Sequence, residues 1–265
     1  MMLNGVGRLT AAAFAVLVLH VYATGMIAGV LVGLLVAIGI AAWHTRSLWQ
    51  PRPRPFDWRS LIRQVFPLLL GFCGFQILFT ADTLFVKAYF SSKETGLYLS
   101  AGTLSRALMW LVGPLAAVMF PRLVQSAAKS EKFDLTGLVL VGTALLSLAG
   151  AIGLTVLGPW VVKLVYTKDY VQVASAILPW YAGAMVPLAV ANVLLNDLMA
   201  RPTSKAAPAA CVFALAVVYA IALTRFHSSL TAVLQTLGIC NLLLLGICGW
   251  FSWRGKQASR VKLAV

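Results

Sequence analysis

Two charges stand where the rest of the sequence allows almost none. Asp82 lies within ILFTADTLFVKAYF (77–90) and Arg106 within YLSAGTLSRALMW (98–110), both otherwise oily stretches. A carboxylate in such a setting could bind a proton, an ion or a polar substrate group. A guanidinium could take a phosphate, whose oxygens match its bidentate fork. The same two groups could instead pair with each other and staple two adjacent antiparallel helices. Asp82 could also sit near the headgroups, paired or hydrated. Gln76, Thr80, Thr83 and Lys87 recur at spacings of 4, 3 and 4 and form one helical stripe, with Asp82 about 100° away. Lys87 is close enough to the helix end to snorkel to the interface. Thr103, Arg106 and Trp110 share a second face. Asn192 and Asn196, four residues apart with Asp197 beside them, fit either hydrogen bonding between helices or ligand contact. The candidate substrate-binding set is therefore Arg106, Asp82, Gln76, Thr80, Thr83, Asn192 and Asn196.

Other chemistries have no support in the residues. The four cysteines (Cys73, Cys211, Cys240, Cys248) form no CxxC pair and lie in apolar runs, so they are expected to pack as small hydrophobes. The three histidines (His20, His44, His227) are scattered and match no metal-ligand spacing. There is no nucleophile constellation, phosphate-binding glycine loop or pair of catalytic carboxylates. No enzyme activity, metal or cofactor is expected.

The elements that must position these residues are set by the solvent. The chain is 61% hydrophobic and 11% charged, with a mean hydropathy of +0.90. A water-soluble domain carries roughly 25% charged residues. Apolar runs of roughly 20 residues match about 30 Å of hydrocarbon, and they are too long for barrel strands of about 10. The expected fold is all-α: a polytopic membrane bundle of about seven full transmembrane helices plus an N-terminal stub. The stub covers Leu9–Leu19, and a break at HVYATG (20–25) separates it from a span at Thr24–Trp43. A cleavable signal peptide headed by Arg8 is the weaker reading, because the apolar run continues too far. Further spans are expected at Leu61–Ala88, Tyr98–Phe120 (ending at Pro121), Leu135–Val162, Val171–Ala200, Ala206–Leu223 and Leu230–Trp253. Pro179 and Pro187 should kink the fifth of these seven full spans. Gly25, Gly29 and Gly33 repeat the GxxxG spacing and should form a helix-packing face.

The +14 formal charge reports topology rather than nucleic acid. Placing residues 44–60 in the cytoplasm puts fifteen of the 21 Lys and Arg inside and five outside, with Arg106 left within a span. The C-terminus then lies in the cytoplasm. Trp49, Trp58, Tyr89, Tyr98, Tyr166, Tyr170, Trp250 and Trp253 fall near span ends and read as interface anchors. RSLWQPRPRPFDWRS (46–60) is the one linker-like segment. Its alternating Arg and Pro resist helix and would lie well against anionic headgroups.

The stretch FPLLLGFCGFQILFTADTLFVKAYFSSKETGLYLSAGTLSRALMWLVGPLAAVMFPRLV (66–124) resembles the helix hairpin that opens the second lobe of polysaccharide exporters, the flippases of lipid-linked sugars. Their superfamily also holds multidrug exporters and the peptidoglycan-precursor flippase. Pro67, Asp82, ETGLY (94–98) and FPRL (120–123) carry the likeness. KLVYTKDYVQVASAILPWYA (163–182) is similar to the family's loop into its tenth helix. The resemblance implies two six-helix lobes around a central cavity. Residues 1–45 would then end a first lobe, 46–60 would link, 61–253 would form the second lobe and 254–265 a basic cytoplasmic tail. The chain reads as a partial copy, with a missing first lobe or a second copy of itself as possible partner. The implied function is export of a lipid-linked oligosaccharide or polysaccharide precursor across a bacterial inner membrane by alternating access. Arg106 would attract the phosphate joining lipid to sugar, and Asp82 would couple or gate. The partners are membrane lipid and the lipid-linked saccharide, not nucleic acid. A drug or small-solute exporter of the same superfamily, and a non-transporting membrane subunit, are the alternatives.

Overall fold

Backbone polar groups in lipid must find partners within the chain, and a helix supplies them locally. A computed structural model describes residues 10, 14, 22–46, 57–129, 135–165, 168–200 and 205–263. It contains α1 (Tyr22–Thr45), α2 (Trp58–Tyr89), α3 (Ser92–Lys129), α4 (Leu135–Val165), α5 (Lys168–Ala200), α6 (Ala206–Arg225) and α7 (Leu230–Leu263). There is no strand among the described residues. Among the described residues six of the seven are long and apolar enough to cross a membrane, and within α3 the run Tyr98–Phe120 holds one charge, Arg106. The protein is a polytopic all-α membrane bundle.

Contacts divide the chain into Met1–Asp57 and Trp58–Val265. In the first unit, the buried described positions of α1 are Gly25, Gly29 and Gly33, while Ile27, Leu31 and Leu35 are exposed. The glycine repeat is thus the packed face of its helix. The expected stub at 9–19, apart from Thr10 and Phe14, and residues 47–56 of the linker lie outside the described residues.

In the second unit α5 is the central helix. It packs against α3, α4 and α7, and Leu178, Tyr181, Met185, Leu188 and Leu195 are fully buried. Its two prolines loosen the local ladder, and α7 answers one of them. The Asn241 side-chain amide donates to the Ala184 carbonyl at 2.8 Å, one turn before Pro187. Pro187 itself frees the Gly183 carbonyl, so this bond from α7 supports the ladder one residue along from the gap. α2 instead packs on α6, side by side and parallel. Here the backbones meet: a Cβ on Gly74 would lie 2.9 Å from the Phe213 Cα.

Three helix ends differ from expectation. α3 begins at Ser92, not Tyr98, because Ser91 and Glu94 cap it. The Ser91 amide and hydroxyl both donate to Glu94 Oε2 (3.1 and 2.7 Å), and the Glu94 amide donates back to Ser91 Oγ at 3.4 Å. That is the reciprocal box which satisfies two orphan donors of a first turn. These bonds hold the exposed Glu94 carboxyl below the usual range, with the Ser91 hydroxyl as the main cause. The same helix runs past Pro121 to Lys129. α7 continues to Leu263, because WRGKQASRVKL supplies strong helix formers beyond the apolar span.

Candidate functional site

The ion pair forms the centre of the second unit. Arg106 Nη2 donates to Asp82 Oδ1 at 2.8 Å and to Oδ2 at 2.9 Å, and also to Thr83 Oγ1 at 2.7 Å. Asp82 is fully buried, and the Arg106 side chain is 13% exposed. Two phenols complete the carboxylate shell. The Tyr98 hydroxyl donates to Asp82 Oδ2 at 2.9 Å, and the Tyr181 hydroxyl donates to the same oxygen. Both tyrosines are fully buried, with ring centroids 5.2 Å apart. The Asp82 charge is therefore compensated by one cation and two hydroxyls, as a buried carboxylate requires.

Three elements place the five participants. Asp82 and Thr83 come from α2, Tyr98 and Arg106 from α3, and Tyr181 from α5. α2 and α3 touch each other little: α2 packs on α6, while α3 packs on α5 and α4. The ion pair therefore bridges two helices whose apolar faces point elsewhere. Gly102 gives the Tyr181 ring its room, since a Cβ there would meet the ring at 3.2 Å.

Arg106 is not used up by this pairing. Its guanidinium lies 5.4 Å from the Phe79 ring centre and 5.6 Å from that of Tyr181, so it is sandwiched between aromatic faces. Its Nε is buried without a hydrogen-bond partner. Among the described residues its hydrogen bonds all run through Nη2. Around it the surface of the unit is polar: Gln76 and Thr103 are exposed, Thr80 and Thr83 half-buried. The hydroxyls of Thr80 and Thr103 bond back to the carbonyls of Gln76 and Leu99 (2.7 and 2.8 Å). Trp110 is 68% exposed on the same helix.

The structure thus brings Asp82, Thr83 and Arg106 into contact and places Gln76 and Thr80 on the adjoining surface. Asn192 and Asn196 stand apart. They lie eleven to fifteen residues along α5 from Tyr181, roughly 16–22 Å by helical rise. The Asn196 amide donates to the Asn192 backbone carbonyl at 2.7 Å and to its Oδ1 at 3.1 Å, so this pair is satisfied within one helix. Lys87 is exposed at the end of α2. Of the cysteines, Cys240 and Cys248 are buried and Cys73 and Cys211 exposed.

Sequence reasoning missed the tyrosines. Tyr98 was expected to anchor at an interface, but it is fully buried on Asp82. With its helix starting at Ser92, Tyr98 lies well inside the first turns rather than at the end. Tyr181 gave one available signal: a phenol in a membrane helix needs a partner for its hydroxyl. Tyr219 is also fully buried, and its hydroxyl has no partner. Among the described residues no group of three or more His, Cys, Asp or Glu could hold a metal ion.

A family model described as Lipid II flippase MurJ matches residues 1–254. No curated protein and no solved structure matches the chain.

Proposed function

The chain belongs to the lipid II flippase family, which moves a lipid-linked precursor across a membrane without enzymatic chemistry, and from this we propose that the unit from Trp58 to Val265 binds the phosphate of such a precursor at Arg106. The cargo is a lipid-linked saccharide of the lipid II class. The membrane is the bacterial inner membrane, and the C-terminus faces the cytoplasm, as the distribution of Lys and Arg supports.

The observation that carries this reading is the half-satisfied guanidinium. One edge of Arg106 is locked by Asp82 and Thr83. Its Nε has no hydrogen-bond partner among the described residues, and Gln76 and Thr103 are exposed on the two helices that carry the pair. A polar strip on a lipid-facing surface is unfavourable, so this face belongs toward a wet cavity. Asp82 holds the fork in place before cargo arrives, which lowers the ordering cost of binding. Its charge also moderates the attraction, so that the phosphate can leave again on the far side. Alternating access then follows if the cavity opens to each leaflet in turn.

The test is the rate at which a lipid-linked saccharide appears in the far leaflet of vesicles containing the protein. Arg106→Lys keeps the charge but loses the fork, and should lower the rate. Arg106→Ala should lower it by roughly 10- to 100-fold, the worth of a charged hydrogen bond of about 1.5–3 kcal/mol. A wild-type rate for a well-folded Arg106→Ala protein would remove Arg106 from the mechanism.

A further inference from the structure

A second lipid-directed feature lies on the opposite flank of α6. Cys211 on α6 and Leu242, Gly246, Ile247, Trp250 and Phe251 on α7 line an open groove of about 370 Å³, almost wholly apolar. Side chains do not fill it because Gly246 supplies none: a Cβ built there meets nothing within 4 Å.

The groove has a polar end. α6 and α7 run antiparallel, with Tyr219 beside Cys240 and Cys211 beside Trp250. Continuing that register puts Lys205, at the start of α6, level with Arg254. The Arg254 guanidinium lies 5.4 Å from the Trp250 ring centre, directly beyond the groove's aromatic wall. Trp250 and Trp253 are about half exposed, 53% and 56%, with rings 5.8 Å apart. Neither Arg254 nor Lys205 has a carboxylate partner among the described residues. A cleft for a hydrocarbon chain therefore ends at interface tryptophans and unpaired cations, and this order matches a phospholipid from tail to headgroup.

We propose that this groove binds one anionic phospholipid. An acyl chain lies along Gly246 between α6 and α7, and the phosphate sits against Arg254 and Lys205. Each buried methylene favours the chain about fourfold, which any lipid would supply. The cations provide the discrimination: a basic group near a membrane surface favours an anionic headgroup by about 1 kcal/mol, roughly fivefold. The site is separate from Arg106 and does not depend on the cargo proposed for it.

Native mass spectrometry of the purified protein, titrated with phosphatidylglycerol or phosphatidylcholine, tests the proposal. The wild-type protein should retain one phosphatidylglycerol at least fivefold more tightly than phosphatidylcholine. Arg254→Gln with Lys205→Gln should abolish that preference while leaving phosphatidylcholine binding unchanged. Gly246→Phe should fill the groove without displacing protein atoms and remove the bound lipid of either kind. Equal retention of the two lipids by the wild type would reduce the groove to ordinary annular contact and overturn the proposal. So would an undiminished phosphatidylglycerol adduct on Gly246→Phe. The double glutamine variant changes surface groups only, so its outcome stands even if Gly246→Phe fails to fold.

Discussion

Asp82→Leu is the perturbation that most directly probes the centre of the bundle. The substitution removes a carboxylate that accepts from Arg106, Tyr98 and Tyr181, in a position with no access to solvent. Breaking a buried pair by deleting one partner typically destabilises by about 3–5 kcal/mol, because the remaining charge is uncompensated. The two phenols lose their acceptor as well, but Arg106 is 13% exposed and can recruit water at its free edge, so the lower half of that range is expected. At about 2–4 °C per kcal/mol for a unit of this size, the midpoint of thermal unfolding in detergent should fall by roughly 6–16 °C. The second arm is Asp82→Leu combined with Arg106→Met. Apolar replacements of a buried ion pair are often neutral, so the double variant should recover most of the lost stability. If Asp82→Leu shifts the midpoint by less than about 2 °C, the account of Asp82 as the organising charge is refuted. The double variant also separates the two roles of Arg106. A purely structural staple predicts that flipping returns with stability, whereas a phosphate site predicts a stable protein that does not flip.

Three further expectations follow from the geometry. Gly74→Ala pushes a methyl to 2.9 Å from the Phe213 Cα and should destabilise by about 1–3 kcal/mol in thermal unfolding. Gly71→Ala meets the flexible Met199 Sδ at 3.2 Å and should be milder, and the reverse order would contradict backbone contact as the cause. Asn241→Leu removes the bond to Ala184 but also the buried, unpartnered Oδ1, so its net destabilisation should stay near 1 kcal/mol. A loss above about 3 kcal/mol would mean that the Pro187 region depends on Asn241 alone. Glu94 has a lowered folded pKa, so its capping contribution is complete above the ordinary carboxylate pKa and fades as pH falls through the lowered value. Amide exchange over residues 92–95, corrected for its intrinsic pH dependence, should therefore lose protection on acidification, and Glu94→Ala should abolish that pH dependence.

The helices were legible because lipid leaves a chain few options: long apolar runs, prolines and glycines located α1, α2 and α4–α6, and the start of α7, within a few residues. The ends were less legible where the signals were polar. Ser91 and Glu94 spell a capping box, yet they sit in a segment whose charges suggested a loop, so the start of α3 was placed six residues late. That displacement had a consequence for the site. It moved Tyr98 to a helix end and assigned it to the interface, when its hydroxyl belongs to Asp82. Pairing between Asp82 and Arg106 was one of two readings from sequence, since an acid and a base in consecutive antiparallel helices can meet near their common turn. Tyr181 could not be found that way. It lies 99 residues from its partner, and nothing local in LPWYA indicates which helix it faces.

The shape of this network bears on how a flippase lobe could move. Asp82, Arg106 and Tyr181 join α2, α3 and α5, while α2 is independently fastened to α6 through Gly74. The apolar contacts therefore group α2 with α6 and group α3 with α4 and α5, and α7 packs on both α5 and α6. Across the α2–α3 division the polar cluster supplies much of the attachment. Packed helices tend to shift as groups, because close-packed faces resist partial separation. Small shifts between α2 and α3 would lengthen the bonds at Arg106 and also slide Leu78 and Val86 of α2 within the shared core. A phosphate arriving at Arg106 would share its positive charge with Asp82 and so weaken that attachment at the moment of loading. Cargo binding and helix separation are in this way linked through one guanidinium, and a double-mutant cycle between Arg106 and Tyr181, read with and without lipid-linked cargo, should show coupling that falls when cargo is bound.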